Sequence, residues 1–249
     1  MKRQIVVLAA GQGTRMGGNI AKVLVPVLDK PMINHVLDEI AKIDLVNSPV
    51  VVVGFQADKV RRHLGDKVKF VFQEDQLGTG HALAMTKDVL QNFYGAILVL
   101  YGDHPLISSK TINNLFAKHF AEKSIVTMMT TTIDDFEDWR NTFMSFGRIL
   151  RNENKDITAI RELKDCTDEE KQINELNPGY YCFDSQWLWQ NIDQLRTENN
   201  QKEYYLTDLI ELAFHQGKKI NSMQIDPVEC FGVNTPEQLS VVENILSKK

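Results

Sequence analysis

A doubly wound, mostly parallel α/β sheet is the fold this sequence predicts. Three observations predict it. Short apolar runs rich in β-branched residues recur in the first hundred residues, at Ile5–Ala9, Val50–Val53, Val68–Phe72 and Ala96–Tyr101. Stretches with helical spacing lie between them. The first run enters LAAGQGTRMGG, Leu8–Gly18, a glycine-rich turn behind a buried strand. A β-α-β-α order with continuous apolar strands argues for parallel strands covered on both faces.

Each element has its own reason. Ile33, Val36, Leu37 and Ile40 repeat at helical spacing, with Pro31 near the helix start. Val50–Val53 is four valines between Pro49 and Gly54, the pattern of a strand with no exposed face. A helix is expected near Ala57–Leu64, and a single helix over Thr79–Leu90. The second half is less regular. Ile125–Thr132 reads as a strand, and Arg148–Arg151 and Ile157–Glu162 as a hairpin across Asn152–Asp156. Tyr180–Phe183 and Ile220–Ile225 read as strands, Gln186–Leu195 and Leu206–Gln216 as helices, and Pro236–Leu246 as a closing amphipathic helix. No linker and no internal repeat divides the chain. One domain is expected, its later part inserted over the open edge of the parallel sheet.

Composition narrows the function classes. Of 249 residues, 43% are apolar and 24% charged, as in soluble globular proteins. The net charge of −5 gives no basic footprint for nucleic acid, so any polyanion must be held by a local cationic site. The opening MKRQIVVLAAG has too short an apolar run for a signal peptide and enters a Gly/Arg loop instead of a cleavage site. No segment approaches the ~18 apolar residues of a membrane helix, so no membrane partner is expected. Cys166, Cys182 and Cys230 are far apart, fit no zinc spacing and suit a reducing cytoplasm.

Doubly wound sheets bind ligands beyond the carboxyl ends of their strands, here the loops after Ala9, Phe72 and Tyr101. A P-loop requires G-x-x-x-x-G-K-[ST], but Asn19 and Ile20 follow Gly18. A dinucleotide fingerprint requires a third glycine where Met16 stands. What remains is G-x-G-T-R-M and, seven residues after Arg15, Lys22 in KVLVPV. Two cations and a row of backbone donors suit a triphosphate or a leaving pyrophosphate.

LAAGQGTRM with KVLVPV resembles the signature of the sugar-1-phosphate nucleotidyltransferases, closest to the uridyltransferase domain of the N-acetylglucosamine-1-phosphate uridyltransferases. QEDQLGTGHA (Gln73–Ala82), YGDHPL (Tyr101–Leu106), FGRI (Phe146–Ile149), KDCTDEEKQINELNPGYY (Lys164–Tyr181), EYYLTD (Glu203–Asp208) and GVN (Gly232–Asn234) follow in that family's order over nearly the whole chain. The resemblance implies a Rossmann-like nucleotide-diphospho-sugar transferase fold with a small β-rich sugar-binding insertion. It divides the chain into a nucleotide-binding part over about 1–122, a sugar-binding part over about 123–234 and a closing helix at 236–247. It implies Mg²⁺-dependent transfer of UMP from UTP to a sugar 1-phosphate, N-acetylglucosamine 1-phosphate first, with release of pyrophosphate. Transfer to another sugar 1-phosphate, use of dTTP or CTP, and a non-catalytic sugar-nucleotide sensor are the alternatives.

The resemblance also implies roles. Arg15 and Lys22 would be the catalytic cations, and Asp103 and Asn234 the metal ligands. Leu8, Ala9, Ala10, Gly11, Gly13, Gln73, Gly78, Thr79, Tyr101 and Gly102 would hold the nucleotide. Gln73 offers a donor and an acceptor to the uracil edge, and Gly78 lets backbone approach the ring. Gly147, Glu162, Asn177, Tyr205 and Thr207 would meet the sugar. His81 is expected as an ordinary helix residue. Departures from the family pattern gather near the sugar: Ser145 and Phe146 replace a common Gly-Tyr, Pro178 a threonine, and Phe231 an acidic residue. No hexapeptide repeat of the acetyltransferase kind is present, so acetyl transfer is not expected. A monomer or weak dimer is.

Overall fold

The structure, a computed structural model, describes residues 1–18 and 20–248. The strands are β1 (Arg3–Ala9), β2 (Pro26–Val27), β3 (Lys30–Pro31), β4 (Val50–Val53), β5 (Lys69–Phe72), β6 (Ala96–Tyr101), β7 (Val126–Thr132), β8 (Gly147–Arg151), β9 (Ile157–Arg161), β10 (Glu175–Asn177), β11 (Tyr181–Asp184) and β12 (Ile220–Gln224). The helices are α1 (Met32–Ile40), α2 (Ala57–Leu64), α3 (Thr79–Ala84), α4 (Lys87–Leu90), α5 (Ser109–Ala121), α6 (Ser185–Asn191), α7 (Asp208–His215) and α8 (Pro236–Leu246). None of them is long and apolar enough to cross a membrane.

The central sheet runs β5-β4-β1-β6-β11-β7, with β12 on the other edge of β7. Strands β5, β4, β1 and β6 are mutually parallel, as the apolar runs predict. Alternation along the strands feeds two cores. Ile5, Val7, Val51, Val53, Leu98 and Leu100 face Met32, Ile33, Val60, Ile112, Phe116 and Val242. Val6, Leu8, Val50, Val52, Ile97 and Val99 face Leu83, Leu90, Leu188, Leu209 and Ile210. Helices therefore cover both faces, and each fully buried valine contributes about 1.5–3 kcal/mol.

The second half departs from the expectation. It does not lie over the sheet's open edge; it continues the sheet. β11 enters antiparallel between β6 and β7. Tyr181, Cys182 and Phe183 are all fully buried, so neither face of this run could be left at an edge. β10 pairs with both β7 and β8, and the β8–β9 hairpin hangs from it.

β10 and β11 lie along one side of β7, interrupted at Asn177-Pro178-Gly179. Leu176 stands opposite Thr131 and Tyr181 opposite Met128, so five steps of one chain oppose three of the other. The surplus residues form a kink, Gly179 takes φ +87°, and Asn177 Oδ1 accepts the Gly179 N–H at 3.0 Å.

Two helical expectations change. Thr79–Leu90 is two helices, because the buried Thr86 hydroxyl donates to the Leu83 carbonyl at 2.7 Å and competes with the helix ladder. The sequence reading missed α5, the longest helix. Ser108 caps it by accepting the Thr111 N–H, and Thr111, Ile112, Leu115, Phe116 and His119 are buried.

Candidate active site

The parallel strands end level with one another. Leu8 pairs with Tyr101, Ala9 with Val53, and Val53 with Phe72. The loops after β1, β5 and β6 therefore emerge side by side at the carboxyl edge, where such sheets hold ligands. The Gly102 N–H donates to the Leu8 carbonyl at 2.9 Å, and the Gln73 N–H to the Val53 carbonyl at 2.8 Å.

Between these loops lies a cavity of 260 Å³. Leu8, Ala9, Ala10, Gly11, Lys22, Gln73, Gly78, Thr79, Tyr101 and Asp103 line it, joined by Val23, Gln76, Ala82 and Glu203. Gly13 and Gly102 stand behind the lining. An ideal Cβ on Gly13 would sit 2.7 Å from Lys22 Cβ, and one on Gly102 3.0 Å from Val23 Cγ1. Gly13, at φ +67°, thus opens the space that the Lys22 stem fills. Gly78 also has a packing reason: a Cβ there would meet the Tyr204 carbonyl oxygen at 2.6 Å. Gln73 is buried at the wall, its Nε2 3.3 Å from the Gly78 carbonyl oxygen and 3.0 Å from His81 Nδ1.

The cations and oxygen ligands expected from sequence meet in one cluster. Arg15 sits in a short 3-10 turn, Thr14–Met16, and Lys22 opens another, Lys22–Leu24. Asp103 follows β6. The Val233 N–H donates to the Asp103 carbonyl at 3.0 Å, which brings Asn234 alongside. Lys22 Nζ donates to the Asp103 carboxylate and, at 2.5 Å, to Asn234 Oδ1. Arg15 Nη2 reaches the same Oδ1 at 3.3 Å. Burial opposes ionisation of Asp103, but the Lys22 ammonium beside it prevails and holds the carboxyl below its ordinary range. His104 is kept neutral, its pKa lowered to about 4, mainly by burial. Its Nδ1 meets the Tyr180 hydroxyl at 2.8 Å.

A carboxylate and an amide oxygen that converge on one ammonium can converge on one hard cation. Magnesium takes few oxygens from protein and the rest from phosphate and water. Among the described residues, no group of three or more His, Cys, Asp and Glu side chains forms a self-sufficient metal cage. The Asp103–Asn234 pair fits a metal that arrives with its own phosphate ligands.

A second cavity, of 250 Å³, shares Thr79, Tyr101 and Glu203 with the first. All five residues expected at the sugar line it: Gly147, Glu162, Asn177, Tyr205 and Thr207. Burial, then the carboxylates of Asp165 and Asp208, raise the Glu162 pKa to about 7. The Tyr205 hydroxyl accepts from Gln201 Nε2 at 2.7 Å. Two buried hydroxyls in this lining, Tyr181 OH and Thr207 Oγ1, make no well-formed hydrogen bond, although Tyr181 stands beside the Asn177 amide and Thr207 beside the Glu162 carboxyl. Sequence reasoning did not single out Tyr181. The alternation of a strand could have: Tyr180 turns to His104 and Glu229, so Tyr181 must face the other way.

The departures have a common structural setting. Phe146 packs edge-on against Phe143, ring centroids 5.1 Å apart, and Phe143 against Phe231 at 5.9 Å. Trp139 touches both Phe143 and Phe231. Phe146 and Phe231 thus belong to one aromatic cluster that reaches the wall of the second cavity through Phe146. Ser145, Phe146 and Pro178 reach the cavity itself.

A family profile described as nucleotidyl transferase matches residues 4–227. The chain is 41% identical over 249 residues to the "Bifunctional protein GlmU" of Bacillus licheniformis, covering 100% of this chain and 53% of that protein. It is 39% identical over 249 residues to the protein of the same name from Bacillus subtilis, again covering 100% of this chain and 53% of the relative. The chain therefore spans about half the length of the curated relatives it matches. Among solved structures, a putative glucose-1-phosphate thymidylyltransferase from Bacillus anthracis superposes with a TM-score of 0.72 at 20% identity, covering 99% of this chain and 96% of that one. A CMP:2-keto-3-deoxy-manno-octonic acid synthetase complexed with CTP superposes at 0.69 and 19% identity, covering 100% and 99%. At such identities these two likenesses concern the fold.

Proposed function

We propose, since the chain belongs to the nucleotidyl transferase family, that it transfers UMP from UTP to N-acetylglucosamine 1-phosphate and releases pyrophosphate. The observation that carries this reading is the meeting of Arg15 and Asn234 with Lys22 and Asp103, the latter two in the lining of the first cavity, which adjoins a second lined by carboxyl, amide and hydroxyl side chains. The resemblance of its motifs to those of the N-acetylglucosamine-1-phosphate uridyltransferases makes N-acetylglucosamine 1-phosphate the first sugar to test.

No general base is needed. A phosphate monoester has a second pKa near 6, so the acceptor oxygen is already ionised at neutral pH. Catalysis is then positioning and charge neutralisation. The first cavity holds the base and ribose against Leu8, Ala9 and Gln73. Asp103 and Asn234 would hold Mg²⁺, which would supply positive charge at the phosphates. Lys22 and Arg15 stabilise the charge that grows on the departing pyrophosphate. Gly147, Glu162, Asn177, Tyr205 and Thr207 orient the sugar so that its phosphate faces the α-phosphorus.

Pyrophosphate release with UTP and Mg²⁺, over a panel of sugar 1-phosphates, tests this reading. Release with N-acetylglucosamine 1-phosphate is expected. Release with glucose 1-phosphate alone would replace the sugar. No release with any sugar, despite UTP binding, would leave a sugar-nucleotide binder.

A further inference from the structure

We propose that His81 determines base choice by fixing the amide of Gln73 so that only its carbonyl oxygen faces the nucleotide. This rests on the reading above that the nucleotide is UTP.

Gln73 could in principle present either end of its amide to a base. Its surroundings remove the choice. The Gly78 carbonyl oxygen, 3.3 Å away, can only accept, so the NH₂ group must face it. The same Nε2 lies 3.0 Å from His81 Nδ1. Its two hydrogens are therefore divided between a backbone carbonyl and an imidazole nitrogen, and His81 carries its proton on Nε2. Gln73 is buried in the wall of the first cavity, and the group left to it is Oε1, an acceptor. Uracil presents N3–H, a donor, to such a group. Cytosine presents an unprotonated N3, acceptor against acceptor. A site built this way rejects the wrong base because a buried polar group is left facing its own kind.

His81 stands on α3, eight residues beyond Gln73, and packs at 6.2 Å between ring centroids against Tyr204. It touches the amide and not the base, so it is a positioning residue. Without it one N–H of Gln73 loses its acceptor, and the amide is held only by the longer contact to Gly78.

Calorimetric binding of UTP and of CTP, each with Mg²⁺, tests this on the whole chain. The unaltered protein should prefer UTP. His81→Leu, which keeps the shape but removes the acceptor, should lower the UTP-to-CTP affinity ratio about tenfold, the effect of one lost buried hydrogen bond. His81→Asn, whose Oδ1 stands where Nδ1 stood, should restore most of the ratio. An unchanged ratio in His81→Leu, or His81→Asn no better than His81→Leu, overturns the proposal. So does equal binding of CTP by the unaltered protein. Nitrogen NMR of the unaltered protein needs no folded variant: an Nε2–H tautomer at His81 is expected, and an Nδ1–H tautomer overturns the assignment. Binding is read without turnover. A chain that selects UTP through His81 yet releases no pyrophosphate loses the reaction and keeps the positioning role.

Discussion

Gln238 Oε1 accepts the backbone N–H of Asn234 at 2.6 Å, so the first turn of the closing helix holds a candidate metal ligand in place. The same side chain completes a capping box with Thr235, and its Nε2 donates to Thr142. Gln238→Leu should raise the Mg²⁺ concentration needed for half-maximal pyrophosphate release several-fold, with kcat at saturating Mg²⁺ changed far less. Loss of the cap should also lower stability by about 1 kcal/mol. A magnesium titration and a thermal melt read the two effects separately.

Lys22 is paired with Asp103, and the proposed function gives it a second duty toward phosphate. Lys22→Ala or Arg15→Ala should lower kcat by roughly two orders of magnitude or more, as loss of one preorganised donor does. Lys22→Ala should also leave the Asp103 carboxylate without its cation. Its melting temperature in metal-free buffer should fall, and Mg²⁺ should recover part of the loss. Near-normal turnover would remove the residue from the mechanism.

Glu162 should give the wall of the second cavity a pH dependence. Its carboxyl is raised to about 7 in the fold, by burial first and neighbouring carboxylates second, against 4.5 ordinarily. Its contribution to stability is therefore full below about pH 4.5 and is lost as pH rises through about 7. His104 and His119, both lowered to about 4 by burial, act in the opposite sense as pH rises from 4 to 6.5. Comparing variant with parent isolates the carboxyl. The melting temperature of Glu162→Gln relative to the parent should rise between pH 5 and pH 8, by the equivalent of about 3 kcal/mol at most. A flat difference would refute the raised carboxyl.

The buried hydroxyls of Tyr181 and Thr207 give a prediction in which stability and binding part ways. Neither makes a well-formed hydrogen bond in the fold, and a poorly paired buried hydroxyl carries a desolvation penalty that offsets its contacts with Asn177 and Glu162. Tyr181→Phe and Thr207→Val should therefore melt close to the parent's temperature. Their KM for the sugar 1-phosphate should nonetheless rise, Thr207→Val by roughly tenfold, as for a lost ligand hydrogen bond. Lower stability with unchanged KM would mean that both hydroxyls serve the fold alone.

The parallel half was legible in the sequence because its signals are local. Four valines between Pro49 and Gly54 have few alternatives to a buried strand, and the strand ends locate the ligand loops. The candidate site residues were picked out by motifs, and the structure gathers them around two adjoining cavities. What was not legible depends on partners distant in sequence. α5 hides its buried face among Lys110, Asn113, Asn114 and Lys118. β11 looks like any short apolar run, and only its place between β6 and β7 makes it the strand that continues the sheet. At Gly78, beside its place in the cavity lining, the packing constraint comes from the Tyr204 backbone, far along the chain.

The kink at Asn177-Pro178-Gly179 sets a ruler between the two cavities. One unbroken length of backbone is stitched to β6 and β7 beyond Gly179 and to β7 and β8 before Pro178. The wall of the second cavity is therefore carpentered into the sheet that carries the loops around the first, with no separate hinge in this run. The spacing between the two cavities is a property of strand register. On the proposed function, alternative sugars would be selected by the side chains that trim this wall, at Ser145, Phe146 and Pro178, because the frame on which they hang has a fixed length.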